Sequence, residues 1–371
     1  MDKALEEKKS YEENFRTLYS QLNPAQKQAV DSIEGPVMVI AGPGTGKTQI
    51  LAMRIARILA DPDLQVNPSN ILCLTFTESA TVAMRKRLIS IIGPTAYQIR
   101  IHTFHSFCNE VIKENSDKFF YADQITDLQK IQAMTGFIEA LDVESPLKPF
   151  GDKFFYRKEL LSVIQTLKRE SITPQMLMEI TLEIESFIQK NYDDIIAFVS
   201  RHAKSLKDED CDLFLEKIHV KNPESPFAIM FQDFRDQNEK ISDFKSKIKS
   251  FVENAEKDSP KHKELVKIYE QYQNFLAVNK IYDFEDMILR VVNLFKLDSE
   301  LLARYQEQFQ YILVDEYQDT NGAQNELVSL LLSFYQENPN IFVVGDDDQS
   351  IFRFQGASLE NIIRFYRLYK N

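Results

Sequence analysis

An α/β fold, with a parallel sheet flanked by helices and an inserted all-helical subdomain, is what this sequence predicts. Three observations carry that prediction. Four short apolar runs, Val37-Met38-Val39-Ile40, Ile71-Leu72-Cys73-Leu74, Tyr311-Ile312-Leu313-Val314 and Ile341-Phe342-Val343-Val344, each end at a polar or Gly-rich turn. Glycine divides the chain: eight of the 10 lie within 35–93 and 322–356, and between 106 and 279 only Gly136 and Gly151 occur. The middle carries apolar residues at helical spacing, as in Leu160, Leu161, Ile164 and Leu167, or Leu265, Ile268, Tyr272 and Phe275. Short continuous apolar runs alternating with helical stretches read as buried parallel strands, and ligands of such sheets bind beyond the strand C-termini. The expected organisation is one α/β domain made of residues 1–105 and 280–371, with residues 106–279 as the helical insertion. Residues 1–20 read as a charged helical extension.

The first apolar run opens into Ala41-Gly42-Pro43-Gly44-Thr45-Gly46-Lys47-Thr48. A strand entering a small-residue loop that ends in Gly-Lys-Thr and continues into a helix is a phosphate-binding P-loop, even with alanine at its first position. Successive backbone N–H groups form an anion nest, and the helix that follows adds the positive end of its dipole. Lys47 is expected to reach the outer phosphates and Thr48 to offer its hydroxyl to Mg²⁺.

A phosphate loop of this kind needs an acid at the end of another strand to hold the metal. Ile312-Leu313-Val314-Asp315-Glu316 supplies it. Asp315 is expected to hold Mg²⁺, largely through water, and Glu316 to orient and deprotonate an attacking water. Two adjacent acids after a buried apolar run are costly unless a cation or hydrogen-bond donors meet them. The last run enters Gly345-Asp346-Asp347-Asp348-Gln349-Ser350, where the neutral amide of Gln349 suits a sensor distinguishing ATP from ADP.

Composition narrows the remaining classes. The net charge of −12 argues against coating nucleic acid through bulk positive charge, and residues 106–279 hold 24 Lys and Arg against 31 Asp and Glu, so the insertion is no general basic clamp. With 27 Phe and 15 Tyr, stacking on single-stranded bases remains open. No apolar run approaches the roughly 18–20 residues of a membrane span. The charged N-terminus lacks the apolar stretch of a signal peptide. Cys73, Cys108 and Cys211 are odd in number and widely spaced, which suits the reducing cytoplasm and gives no metal spacing.

The ordered set of motifs resembles the N-terminal half of superfamily 1 DNA helicases of the UvrD/PcrA/Rep type. Leu22-Asn23-Pro24-Ala25-Gln26 resembles the Q motif of that family, Ala41–Thr48 motif I, Leu74-Thr75-Phe76-Thr77 motif Ia and Thr103-Phe104-His105 motif Ib. Tyr282-Asp283-Phe284-Glu285-Asp286-Met287 resembles a segment before motif II, Val314–Asn321 motif II, and Val344–Ile351 motif III. The resemblance implies a RecA-like domain that moves 3′ to 5′ along single-stranded DNA at the expense of ATP, with a duplex junction as a further contact. It implies that Gln26 reads the adenine edge and that Gln49 lies near it, where the family often has Arg. It implies DNA contacts at Phe76, Thr77, Thr103, Phe104, His105 and Phe354, the last standing where the family usually has Trp. Base stacking at such a ring is worth about 1–3 kcal/mol.

The sequence stops shortly before the expected motif IV. The family's arginines of motifs IV and VI are therefore absent from it, as is a second RecA-like domain. The expectation is a piece of a longer protein, a weak ATP binder and a poor helicase by itself. Two alternatives stand beside this reading: the motor part of an AddA-like helicase–nuclease, and a nucleotide-gated binding module without translocation. Stacking and phosphate contacts do not themselves separate DNA from RNA.

Overall fold

The computed structural model describes residues 2–119, 123–222, 225–238, 240–335, 338–346 and 359–369. The chain divides into two compact units, one of Met1–Gln124, Gln165–Ser171 and Lys280–Asn371, the other of Ile125–Ile164 and Ile172–Asn279.

The first unit is built on a five-stranded, all-parallel sheet. Its strands are β1 (Val37–Ile40), β2 (Ile71–Thr75), β3 (Arg100–Thr103), β6 (Tyr311–Val314) and β7 (Ile341–Gly345), in the spatial order β1-β7-β6-β2-β3. A separate short pair joins β4 (Asp123–Gln124) to β5 (Ile281–Tyr282). The four apolar runs all became strands, since β-branched and aliphatic side chains buried on both faces are what a covered parallel sheet requires. The sequence reading had missed β3. Its residues alternate between half-buried and buried, with Arg100 and His102 on the more open face, so no continuous apolar run marks it.

Because every strand runs the same way, all five C-terminal ends lie at one rim. The order places β7 between β1 and β6, so the loop after β1 and the loop after β6 flank the end of β7. The register is explicit: Ile40 lies opposite Gly345, and Val314 opposite Val343.

Each face of the sheet has its own core. One gathers Ile50, Leu51, Ile55 and Ile58 of helix Lys47–Ala60 with Met84 and Leu88 of helix Glu78–Ile92 over Cys73, Leu313 and Val344. The other gathers Phe107, Cys108 and Val111 with Val291, Phe295, Leu327 and Leu331 over Leu72, Ile312 and Val343. Helix Phe104–Glu114 thus belongs to the sheet unit, although its residues from 106 onward were expected to open the insertion. The reason is that it follows β3 without a break and its apolar stripe lands directly on the sheet.

A buried cation fixes one end of the first core. Arg54 is 1% exposed, and its guanidinium donates to the carbonyls of Ala29 (2.8 Å), Ile33 (2.9 Å) and Ser32 while lying 4.4 Å from the centroid of the Phe342 ring. It satisfies the Ala29 carbonyl in the last turn of helix Pro24–Asp31 and the carbonyls of Ser32 and Ile33, which follow the helix.

The second unit is helical. Helices Pro174–Ser200 and Ile241–Val278 pack along each other, and shorter helices Asp208–Lys221 and Pro226–Asp236 close a core rich in phenylalanine: Phe187, Phe198, Phe214, Phe231 and Phe244. Among the described residues no helix is long and apolar enough to cross a membrane.

Arg54→Met should strand three carbonyls and lower the stability of the sheet unit by about 2–4 kcal/mol. Urea unfolding reads this, and an unchanged midpoint would show that those carbonyls do not depend on the guanidinium.

Candidate nucleotide-binding site

The loop after β1 is held open by its own backbone. The Ala41 N–H extends the strand ladder by bonding the Gly345 carbonyl at 2.9 Å. The Thr45 hydroxyl donates to the Gly42 carbonyl at 2.7 Å and closes the turn. Gly44 (φ +73°) and Gly46 (φ +87°) adopt left-handed backbone that side chains resist, and a Cβ on Gly42 or Gly44 would meet nothing within 4 Å. The loop therefore surrounds open space, with Pro43, Gly44 and Thr45 exposed. Helix Lys47–Ala60 begins at Gly46, whose carbonyl accepts from the Gln49 and Ile50 N–H groups, and Thr48 sits half-buried in its first turn.

Gln26 does two jobs. It completes a capping box with Asn23 at the start of helix Pro24–Asp31, and its amide donates to the Thr45 carbonyl at 3.0 Å. A cavity of about 590 Å³ is lined by Asn23, Gln26, Val39, Ile40, Gly42 and Thr45 among others. Gln49 points elsewhere: its side-chain oxygen accepts from Arg87 at 3.1 Å.

Three strand ends converge on Lys47. Its ammonium lies 3.1 Å from Glu316 and 3.5 Å from Asp346, and the lysine is only 9% exposed. Asp315 is buried beside this cluster, with its N–H bonded to the Leu74 carbonyl at 3.0 Å. Glu316 takes the left-handed conformation (φ 50°, ψ 48°), which a residue with a side chain adopts only when its surroundings hold it there. Gln318 holds it. Its amide nitrogen donates to the Glu316 carboxylate at 2.9 Å and its oxygen accepts from the Asp346 N–H at 3.0 Å. Gly345 is needed for this bridge, since a Cβ there would lie 2.9 Å from the Gln318 amide oxygen. Gln318 and Asp346 were not among the expected site residues. The only signal for Gln318 was a neutral amide between acids, and its partner lies on another strand.

Negative charge exceeds positive charge here. Burial, reinforced by Glu316, pushes the Asp315 carboxyl up to about 6, and the same two causes push Asp319 to about 6. Among the described residues no cluster of three or more His, Cys, Asp or Glu side chains could hold a metal ion unaided. The open loop, the Thr48 hydroxyl and this unbalanced charge do suit a cation carried in with phosphate oxygens, which is how Mg²⁺ is usually bound.

The expected nucleic-acid contacts divide. Phe76 is half-buried just after β2, and Thr77 is exposed, its hydroxyl capping helix Glu78–Ile92 through the Ala80 N–H. Thr103 is buried. Its hydroxyl caps helix Phe104–Glu114 and donates to Glu78 at 3.1 Å. Phe104 is a correction: it is 1% exposed and packed into the sheet core, so its ring offers no face to a base. Its place at the first turn of a helix that lies flat on the sheet forces it inward. His105 stacks on Phe284, with ring centroids 4.0 Å apart and planes at 19°, and burial lowers the histidine's pKa. Phe284 is 42% exposed, which makes it an aromatic platform that sequence reading had not singled out. Gln349 and Phe354 lie outside the described residues.

Because the folded pKa of Asp315 is raised above its ordinary value, the folded state holds that proton longer than the unfolded chain does. Its charge therefore costs stability increasingly as pH rises from about 4 to 6, and fully above that range. Asp315→Asn should melt higher than the parent at pH 7.5, by a burden of roughly 1–3 kcal/mol, and close to the parent below pH 4. Parallel melting curves across pH measure this; a constant offset at every pH would assign the effect to something other than titration.

Comparison with known proteins identifies the family. Residues 22–370 match the family described as UvrD/REP helicase N-terminal domain. The chain is 31% identical over 354 residues to the "ATP-dependent DNA helicase PcrA" of Bacillus subtilis strain 168, covering 95% of this chain and 36% of that protein. It is 30% identical over 355 residues to the PcrA of Staphylococcus aureus strain Mu50, covering 96% and 37%, and 31% identical over 351 residues to that of a Staphylococcus epidermidis strain, covering 95% and 36%. The chain thus spans little more than a third of the length of these curated relatives. It belongs to the UvrD/REP helicase N-terminal domain family.

Proposed function

We propose that this chain is the ATP-binding motor half of an ATP-dependent DNA helicase that translocates 3′ to 5′ along single strands, with its sheet unit RecA-like and its helical unit an insertion. The observation that carries the proposal is the meeting of Lys47, Glu316 and Asp346 at one rim, with Asp315 buried beside them. The buried, free cysteines accord with a cytoplasmic setting.

In this reading the Gly42–Thr48 loop takes the phosphates of ATP on its backbone N–H groups. Lys47 exchanges its two carboxylate partners for phosphate oxygens, which releases Glu316 from the ion pair. Glu316, kept in its strained backbone position by Gln318, orients the attacking water and accepts its proton. Thr48 and, through water, Asp315 would hold Mg²⁺, which would supply charge neutralisation at the transferred phosphoryl group. Gln26, already tied to Thr45, lies beside the cavity where an adenine edge fits. Gln349 is assigned the sensing of the γ-phosphate by its motif alone.

For the nucleic acid, the Phe284–His105 pair is the stacking platform, and Phe76 and Thr77 lie at the end of β2 on the same rim of the sheet. Aromatic faces stack on every base, which suits sequence-independent movement along a strand. A preference for DNA over RNA rests on family membership.

Lys47→Ala should abolish binding of a fluorescent ATP analogue by the 371-residue chain; retained binding would remove the P-loop assignment. In a full-length protein carrying this chain, Glu316→Gln should leave nucleotide binding within about twofold while cutting DNA-stimulated hydrolysis by roughly 10²–10⁴, and normal turnover would take the base role from Glu316. Phe284→Ala should weaken single-stranded DNA affinity by roughly 5- to 150-fold and leave nucleotide affinity alone. Unaltered DNA affinity would return Phe284 to a structural role.

A further inference from the structure

Four consecutive residues, Lys168-Arg169-Glu170-Ser171, lie far from both motifs in sequence yet belong to the sheet unit. The first two hold the turn that carries Phe284. The Lys168 ammonium, wholly buried, lies 2.7 Å from Asp286 and 3.8 Å from Asp283. The Arg169 guanidinium donates twice to one oxygen of Glu285, at 2.8 and 3.0 Å. Phe284 stands between these anchored acids, and its ring lies on His105.

The other two residues hold the helix that follows Asp315 and Glu316. The Glu170 carboxylate accepts from the Gly322 N–H at 3.2 Å, and the Ser171 hydroxyl donates to Glu326 at 2.6 Å. The approach is close: a Cβ on Gly322 would lie 2.9 Å from the Glu170 backbone. Ser171 itself takes left-handed backbone (φ 57°), so the strap is bent to make both sets of contacts. Gly322 is only three residues beyond Asp319, and Thr320 is tied to Asn325 and Asn361. The contacts therefore run without a gap from the nucleotide loop, through Gly322–Glu326, through Lys168–Ser171, to the 283–286 turn.

We propose that Lys168–Ser171 is a positioning strap that couples the nucleotide site to the Phe284–His105 platform, so that nucleotide binding changes the affinity for single-stranded DNA. The proposal rests on the reading of that platform as a DNA contact. None of the four residues is assigned to the nucleotide site or to the aromatic platform itself. They act through Phe284 at one end and through the helix after Glu316 at the other. Buried ionic contacts suit this role, since breaking one partner is costly and the arrangement holds one geometry at a time.

The test is a linkage measurement on the 371-residue chain. Affinity for a fluorescein-labelled oligothymidylate of about 15 nucleotides is read with and without Mg²⁺ and a non-hydrolysable ATP analogue. The parent chain should show a change in DNA affinity of about 5- to 150-fold on adding nucleotide. Arg169→Glu and Glu285→Arg should each bring that factor below about 2 while nucleotide affinity without DNA stays within about twofold, and the double swap should restore it. Gly322→Ala should act like the single swaps from the other end. If the variants bind both ligands and keep the parent's factor, or if the parent shows no factor, the strap couples nothing. Should the charge variants fail to fold, Ser171→Ala removes one hydroxyl only, and hydrogen exchange on the parent chain reads the same coupling: slower exchange at residues 283–287 on adding nucleotide supports the strap, and unchanged exchange overturns it. Phe284→Ala in the same assay separates the two ideas, because unaltered DNA affinity there removes the platform itself.

Discussion

One ammonium group organises this molecule's functional rim. Lys47 comes from the loop after β1, Glu316 from the loop after β6 and Asp346 from the end of β7, and the three meet within 3.5 Å. The parallel sheet makes this possible, since β7 lies between the other two and all three strands end at the same edge. Without the lysine, buried carboxylates would face each other with no compensating charge, a cost that desolvation makes large. Burial above all, and then the neighbouring Glu316 charge, raises the pKa values of Asp315 and Asp319 in spite of Lys47. An excess of buried negative charge accords with the proposed binding of phosphate oxygens together with a metal cation.

The loops are held by extensions of the ladders that precede them. Ala41 bonds onward to Gly345 and Asp315 onward to Leu74, so each loop leaves its strand in a fixed direction. Glycine appears where something approaches too closely for a side chain. At Gly345 it is the Gln318 amide, and at Gly322 the Glu170 backbone. Gly345 opens a turn that the sequence marks, whereas nothing local marks Gly322. Among the described residues Gln65, Ser171, Lys280 and Glu316 take left-handed backbone without being glycine; Glu316 is held by its near neighbour Gln318 and Ser171 by the distant Glu326.

Aromatic residues show how motif position and exposure part company. Phe104 and His105 are adjacent, and the family resemblance treated them alike. A helix that starts at the sheet edge turns the first inward to 1% exposure and leaves the second half-buried, stacked on Phe284. The alternation is a matter of which side of the first helical turn faces the sheet. The helical unit, by contrast, buries Phe187, Phe198, Phe214, Phe231 and Phe244 in a core of its own and packs Phe227, Phe234 and Phe251 against it, which gives these rings a structural role.

The sequence alone was enough for the parallel sheet, four of its five strands, the phosphate loop and the acids of motif II. These are local: an apolar run followed by small or charged residues states its own burial and its own turn. It did not reveal β3, whose half-open face breaks the apolar pattern, nor that helix Phe104–Glu114 belongs to the sheet. Only the tertiary structure joined Gln318 to Asp346, Arg169 to Glu285 and Glu170 to Gly322, because the partners in these pairs are separated by between 28 and 152 positions and nothing near either one names the other. Pairings of that kind follow from how strands are ordered and helices laid upon them, and the physics that selects them is the burial of whole faces rather than the chemistry of any one motif.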